Sequence, residues 1–312
     1  MQTFEQELQS NFFTTGIIPD LNFRFVLARN NSAAAEAAER LGTSSALEAL
    51  LGETMLAAFF LVTHSVKTKD TVSLHLEGSG PAHRIIAFAD TDGAMRATTA
   101  RPTAVWDGDL WQGVGSGILR VNRWRDDQQS YSSAVEMRDV GLGKNLQEFI
   151  ARSDQIQTFL RLETSFENSP QSNGETGRGA DGQGKVVRNV SGFMFQALPG
   201  AGADEIDEIL NMIGERTPDE MITALLQPAD EAGGTFRPGT VASHPVKILK
   251  NGSFHYHCDC NLEKVSKVLY LMGRESISDL AQENGCVEVF CEFCKKRYEL
   301  SPAEVDELFL DR

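Results

Sequence analysis

Four cysteines in the last quarter of this 312-residue chain are the side chains best placed for chemistry. Cys258 and Cys260 form a C-x-C pair, Cys291 and Cys294 form a C-x-x-C pair, and thirty residues, Asn261 to Phe290, separate them. Thiolates are soft ligands, and four of them suit one tetrahedral Zn²⁺. A C-x-x-C knuckle is a usual half-site for that ion. C-x-C is tighter and less common, which makes the pattern more specific than a generic zinc ribbon. Separate buried thiols rarely cluster at two ligand-like spacings, and a disulfide framework needs an oxidising compartment, of which the chain carries no sign.

Other reactive residues are weaker candidates. His255 and His257 precede Cys258 and offer alternative nitrogen ligands, although four cysteines already complete a tetrahedral set. Cys286 lies outside the motif. Its plain reading is a small hydrophobe beside the knuckle; its sharper reading is a thiol able to trap a wrong disulfide. His64, His75 and His83 have no nucleophile partnered in sequence, so no catalytic site is expected and the chain is read as a non-enzyme. Gly113 to Gly117 resembles a phosphate loop only superficially, lacking Lys and a following helix, and reads as a hairpin loop.

The elements that must position the cysteines form an α+β chain. Leu21–Leu27 reads as a strand and Ser32–Arg40 as a helix ending before Gly42. Thr43-Ser44-Ser45 caps a second helix over Ala46–Val66. Its apolar residues, from Leu47 through Phe59 and Val62, cover most of the circumference, so it is expected at the centre of the core, covered on two sides. Strands follow at Val72–Leu76, Arg84–Ala89, Met95–Thr99, Ile118–Trp124 and Gln129–Met137. Asp92-Gly93 is a hairpin turn signal, and a turn is expected at Asp126-Asp127. Leu142–Ile150 is a helix, Gln157–Thr164 and Val186–Leu198 are strands, and Asn168–Lys185 is a glycine-rich loop inserted between them.

Two short helices come next. One carries Ile206, Ile209, Leu210 and Ile213. The other, opened by the capping box Thr217-Pro218-Asp219-Glu220, carries Met221, Ile222, Leu225 and Leu226. Alone they are marginal and need a surface to dock on. After a loose stretch, Gln227–Pro245, the cysteine module contains a helical stripe (Leu262, Val265, Leu269, Met272), a short helix over Ser278–Asn284 closed by Gly285, a hairpin of Val287–Phe290 and Arg297–Leu300, and a last helix opened by Ser301-Pro302. So little apolar content cannot stabilise the module unaided, and the metal is expected to do so. The expected organisation is an α+β core of antiparallel sheets around a buried central helix (1–198), a helical linker (199–245) and a small zinc-binding domain (246–312).

Composition narrows the partners. The net charge of −15 argues against sequence-independent nucleic-acid binding and against anionic membranes. The segment after Met1 is neither basic nor followed by an apolar run, so no signal peptide is expected, and the cytoplasm is the expected compartment.

Several motifs together resemble the 33 kDa chaperonin family, the redox-regulated bacterial heat-shock chaperones. They are Cys258-Asp259-Cys260, Glu288 through Cys294 with Tyr298, Leu50-Leu51-Gly52-Glu53, Leu76 to Pro81, Asp92 to Arg96, Arg152 to Gln155, and Gly192 to Gly200. The resemblance implies an ATP-independent holdase, inactive when reduced and holding one Zn²⁺ on Cys258, Cys260, Cys291 and Cys294. Oxidation with unfolding conditions would form the disulfides Cys258–Cys260 and Cys291–Cys294 and release the zinc. Apolar surface would be exposed, and the active homodimer would bind unfolding client proteins. The linker helices would be those of Ile206–Ile213 and Met221–Leu226. The chain departs from the family in having Asp154 where Glu is usual, in the longer insert Asn168–Lys185, and in the stretch Gln227–Pro245. Two competing classes are a zinc-ribbon interaction module, favoured by Lys295-Lys296-Arg297, and a thiol–disulfide oxidoreductase. The latter would need its C-x-x-C at a helix N-terminus.

Overall fold

Two strands open the chain where one is expected. The computed structural model describes residues 10–63, 70–125, 128–168, 185–228, 236–238, 240–241 and 244–310. The turn at Asp126-Asp127, most of the glycine-rich insert, the end of the second helix beyond Thr63 and most of Gln227–Pro245 lie outside these residues. β1 (Asn11–Ile18) and β2 (Phe23–Asn30) pair antiparallel from Asn11↔Asn30 to Ile18↔Phe23. β1 escapes the alternating pattern because both its faces are covered, with polar Thr14 fully buried among them.

α1 (Ser32–Leu41) stops at Gly42, whose φ of +66° lets its N–H turn back to the Ala38 and Glu39 carbonyls. Ser44 Oγ accepts from the Leu47 N–H at 3.3 Å and starts α2 (Ser45–Thr63). Fifteen of the nineteen residues of α2 are buried, so it has no wet stripe to present. Among the described residues it is the one helix long and apolar enough to cross a membrane, and 83% of that apolar window is buried inside the protein.

Burial comes from two sheets. The strands are β3 (Asp70–Gly78), β4 (Arg84–Asp90), β5 (Ala94–Thr99), β6 (Gly117–Arg125) and β7 (Gln128–Met137). After α3 (Leu142–Ser153) come β8 (Thr158–Asn168) and β9 (Lys185–Ala197). α4 (Ala203–Ile213) and α5 (Pro218–Leu225) lead through four short strands, β10 to β13 between Leu226 and Pro245, to β14 (Lys247–Gly252) and β15 (His255–Tyr256). One sheet has the order β14-β1-β2-β9-β8, the other β15-β5-β4-β3-β6-β7. α2 lies between them, against β8 and β9 on one side and β3, β4 and β5 on the other. The α+β architecture around a buried helix is as expected. Within the two sheets every pairing is antiparallel except β15 with β5, which is parallel. Gly52 lies at a close crossing: a Cβ there would stand 3.0 Å from Ala34 Cβ and from both Val190 methyls.

The segment Gly113–Gly117 is neither a phosphate loop nor a hairpin loop. Gly80, Ala82 and Ser79 donate their N–H groups to the carbonyls of Val114, Gly113 and Ser116 at 2.7, 2.8 and 2.9 Å. The two glycine-rich stretches therefore lie side by side, prolonging the β3–β6 pairing. Gly78 is obligatory there, because a Cβ would fall 2.1 Å from the Val114 carbonyl oxygen.

The far face of the five-stranded sheet is also apolar. Along β2, Val26 and Ala28 face α2, while Phe23, Phe25 and Leu27 face outward. α4 and α5 close over that outer face with Ile209, Met212, Met221 and Leu225. The capping box at α5 forms as expected: Thr217 Oγ1 accepts from the Glu220 N–H at 3.2 Å, and the Glu220 carboxylate accepts from the Thr217 N–H at 2.8 Å. One residue of the expected apolar face departs. Leu210 is 44% exposed, and Met212 takes the buried position beside Ile209 and Ile213. A single docking surface selects a stripe narrower than the full i, i+3, i+4, i+7 set.

The chain divides into two compact units, Met1–Tyr256 and His257–Arg312. Residues 246–256, which the sequence reading groups with the cysteine module, supply β14 and β15 to the sheets of the first unit. Phe254 anchors them: its ring lies 4.8 Å from Phe59 of α2, edge-on, and 5.3 Å from Phe13 of β1.

The second unit contains α6 (Leu262–Met272), α7 (Arg274–Asn284), β16 (Val287–Phe290), β17 (Arg297–Leu300) and α8 (Pro302–Leu308). α7 begins four residues before the expected Ser278, so that Ile277 joins Ala281 in the core, and it ends at Gly285 with φ +78°. Of the expected stripe on α6, Val265 and Leu269 are buried, while Leu262 and Met272 are exposed. The core of this unit is eight buried residues, centred on Leu269, Ile277, Tyr298 and Val305.

Candidate metal centre

Two turns bring the four cysteines together. Cys258 and Cys260 lie between β15 and α6. The side chain of Asn261 accepts from the Lys264 N–H at 2.9 Å, which starts the helix directly after Cys260 and fixes the direction in which the C-x-C leaves it. An ion pair between Asp259 and Lys264 braces the same corner. Cys291 and Cys294 occupy the turn of the β16–β17 hairpin, whose pairing closes at Phe290↔Arg297. The Lys295 N–H returns to the Cys291 carbonyl and the Cys291 N–H to the Lys296 carbonyl, both at 3.0 Å, while Lys295 takes φ +58°. The C-x-x-C therefore sits on a hairpin knuckle and not at a helix N-terminus, which removes the geometric premise of the oxidoreductase reading.

All four Sγ atoms lie within 4.8 Å of one another, and all four thiols are free. Cys258 Sγ is 3.6 Å from Cys291 Sγ, and Cys260 Sγ is 3.3 Å from Cys294 Sγ. Four sulfurs at about 2.3 Å from a central Zn²⁺ stand about 3.8 Å apart at the edges of a tetrahedron. The donor set and its spacing fit a metal ion of this kind. Among the described residues the ligand group comprises these cysteines and neither His255 nor His257. Cys286 stands apart from it, grouped with the carboxylates of Glu288 and Glu299.

The electrostatics of the cluster favour a cation. Burial pushes the Cys258 thiol up to about 12, with Cys291 beside it adding to the shift. Cys260 goes the other way, to about 7: burial opposes its ionisation, and hydrogen bonds from Tyr298 and the neighbouring thiols outweigh that burial. Burial also raises Cys294. Such a set shares one negative charge readily and carries four only with a positive charge among them. The Tyr298 hydroxyl donates to Cys260 Sγ at 3.1 Å from a buried ring. The sequence motif includes Tyr298 without revealing this role; its position across from Val289 on β17 is what turns it toward the cluster.

The remaining candidate residues are placed as follows. Of the linker set, Ile209, Ile213, Met221, Ile222, Leu225 and Leu226 are buried against the five-stranded sheet, Ile206 packs at its margin, and Leu210 does not join them. Two polar anchors of this cover have no sequence signature. Asp219 meets Arg29 and Asn189, and the Arg161 guanidinium donates to the Gly214 carbonyl at 3.3 Å.

Comparison with known proteins agrees over nearly the whole chain. The family model described as Hsp33 protein matches residues 12–301. The 33 kDa chaperonin of Thermodesulfovibrio yellowstonii is 26% identical over 80% of this chain and 82% of its own length. That of Desulforamulus reducens is 24% identical over 96% and 97%. The fold is shared with the crystal structure of the 33 kDa chaperonin (heat shock protein 33 homolog) from Thermotoga maritima, with a TM-score of 0.74 at 22% identity, covering 96% of this chain and 97% of that one.

Proposed function

This chain belongs to the Hsp33 family of chaperones, and from that premise we propose that it is a redox-regulated, ATP-independent holdase of the cytoplasm. The observation that carries the reading is the cluster of four free thiols within 4.8 Å, in a unit whose own core is eight residues. Bound there by Cys258, Cys260, Cys291 and Cys294, one Zn²⁺ would supply the charge that holds four thiolates together and much of the folding energy of the His257–Arg312 unit.

Each disulfide formed with hydrogen peroxide joins two sulfurs, passes two electrons to the peroxide and yields two waters once the thiol protons are counted. We assign the pairs Cys258–Cys260 and Cys291–Cys294. The closest sulfurs in the reduced geometry are Cys258 with Cys291 and Cys260 with Cys294, so the cross-pairs are the competing product. Oxidised sulfurs no longer ligate the metal, and the second unit loses what stabilises it. Docking of α4 and α5 over Phe23, Phe25 and Leu27 would loosen in turn and free an apolar sheet face for unfolding clients. The domain roles follow: 1–198 for client binding and homodimerisation, 199–245 as the displaceable linker, and 246–312 for the sensor, whose cysteines lie in the His257–Arg312 unit while its first residues pair in the sheets of the other unit.

Light scattering from a heat-unfolding client tests this, with the protein either reduced and zinc-loaded or treated with peroxide at raised temperature. Suppression by the oxidised form alone supports the switch. Equal suppression by both forms, or by neither, removes it and leaves the cysteines a structural role.

A further inference from the structure

The face of the six-stranded sheet turned away from α2 holds a cavity of about 500 Å³ that the chaperone reading does not use. Strand alternation builds it. Leu74, Leu76, Ala87, Leu119 and Val121 point into the core, so their neighbours Ser73, His75, Glu77, Ile86, Ile118, Arg120, Asn122 and Trp124 point out.

Hydrogen bonds fix the polarity of this face. Ser132 Oγ donates to Asn122 Oδ1 at 2.8 Å, which orients the amide so that Asn122 Nδ2 donates to Ser73 Oγ at 3.2 Å. The Trp124 indole N–H, which can only donate, reaches the same oxygen at 3.5 Å. With two donors aimed at it, Ser73 Oγ turns its own proton to His75 Nε2, 3.1 Å away. Asn122 Nδ2 also lies 3.3 Å from that nitrogen, near enough for one N–H to be shared between it and Ser73 Oγ. Burial, with the guanidiniums of Arg120 and Arg84, lowers the His75 pKa and favours the neutral ring, and with Nε2 accepting from Ser73 the neutral ring carries its proton on Nδ1. Among the described residues no group accepts that proton.

The cavity therefore presents the Nδ1–H of His75 together with Arg84 and Arg120, against one lining carboxylate, Glu77. Glu77 stands directly across from Arg84 in the β3–β4 register, while Arg120 stands directly across from His75 on β6. In a chain with a net charge of −15 this is a locally donor-rich, positive site. Ile118, 48% exposed, and Trp124 add an apolar wall. We propose that the cavity binds a phosphate or carboxylate group carried on a small aromatic or aliphatic body, with Arg120 and His75 on the oxyanion and Trp124 and Ile118 against the body.

The test follows the indole N–H resonances of the full-length protein, three in this chain, with Trp124 assigned by Trp124→Phe. Phenyl phosphate, benzoate and inorganic phosphate are titrated at constant ionic strength. Expected is a saturable shift of the Trp124 signal, with Trp106 and Trp111 unmoved, and phenyl phosphate or benzoate binding about tenfold or more tightly than inorganic phosphate. Arg120→Gln should weaken binding by about tenfold or more, and Lys296→Gln should leave it unchanged. Absence of a saturable shift, an equal shift with chloride, or unaltered binding by Arg120→Gln would overturn the site. Equal binding of inorganic and phenyl phosphate would overturn the role given to Trp124 and Ile118.

Discussion

Asp219 of α5 reaches Arg29 of β2 at 2.7 Å, and its second carboxylate oxygen accepts from Asn189 Nδ2 of β9 at 3.0 Å. One side chain thus staples α5 across two neighbouring strands, at the rim of the apolar face that α4 and α5 cover. The pair is part-exposed, so its worth is about 0.5–1.5 kcal/mol rather than that of a buried ion pair. Asp219→Asn should leave the global unfolding midpoint nearly unchanged. It should speed amide exchange across Ala203–Leu225 and raise binding of an apolar dye in the reduced protein. Unchanged exchange there would show that apolar packing alone holds the cover.

Removing the metal should affect the two units unequally. The His257–Arg312 unit has a core of eight buried residues, whereas α2 and its sheets form a far larger one. A strong chelator under reducing conditions should release one zinc per chain and erase the helical signal of α6, α7 and α8. The tryptophan signals of the first unit should persist. Cys286→Ser should leave the zinc content at one, because Cys286 is not among the four clustered thiols.

Tyr298→Phe deletes the hydroxyl that donates to Cys260 Sγ and keeps the ring in the core. Partners of ligand atoms typically contribute 10- to 100-fold in metal affinity. The variant should bind zinc about that much more weakly in a competition assay and lose it faster to peroxide, with its helical content intact while zinc-loaded. Wild-type affinity in the variant would make Tyr298 a packing residue only.

Glu53 gives the first unit a pH dependence. It sits in α2, buried, with Thr164 Oγ1 donating to its carboxylate at 2.9 Å. Burial raises its pKa from 4.5 to about 7, against the Thr164 bond and slightly with Glu163. A carboxyl with a raised folded pKa contributes stability that is complete below the unfolded value and is lost as pH rises to the folded one. That window runs from 4.5 to about 7. Glu53→Gln keeps an acceptor for Thr164 and removes the titration. Measured by urea unfolding, it should gain about 1–3 kcal/mol over wild type on going from pH 4 to pH 8. A difference that is constant with pH would locate the effect in packing instead.

Much of this was legible locally. The two cysteine pairs show because their spacing is written in adjacent residues, and the caps at Thr217 and Ser301 because a capping box is closed within four residues. The burial of α2 shows because an all-round apolar helix has no face to offer to water. β1 leaves no local signal because a strand buried on both faces loses its period of two, and Leu210 falls outside the buried stripe because periodicity describes a helix and not the width of the surface it meets. The glycine-rich segments at Gly78–Gly80 and Gly113–Gly117 look like separate loops until the β3–β6 register lays them together.

The sequence by itself determined most element types, the buried central helix and the pairs of cysteines that cluster, since each depends on residues a few positions apart. Only the tertiary structure decided which groups meet over long separations. Asp219 and Arg29 are 190 residues apart, Glu53 and Thr164 are 111 apart, and the Ser73–Asn122–His75 network joins β3 to β6. Such meetings are set by strand register and sheet order. A shift of one residue reverses every side chain, and no local pattern records which register the packed core selects.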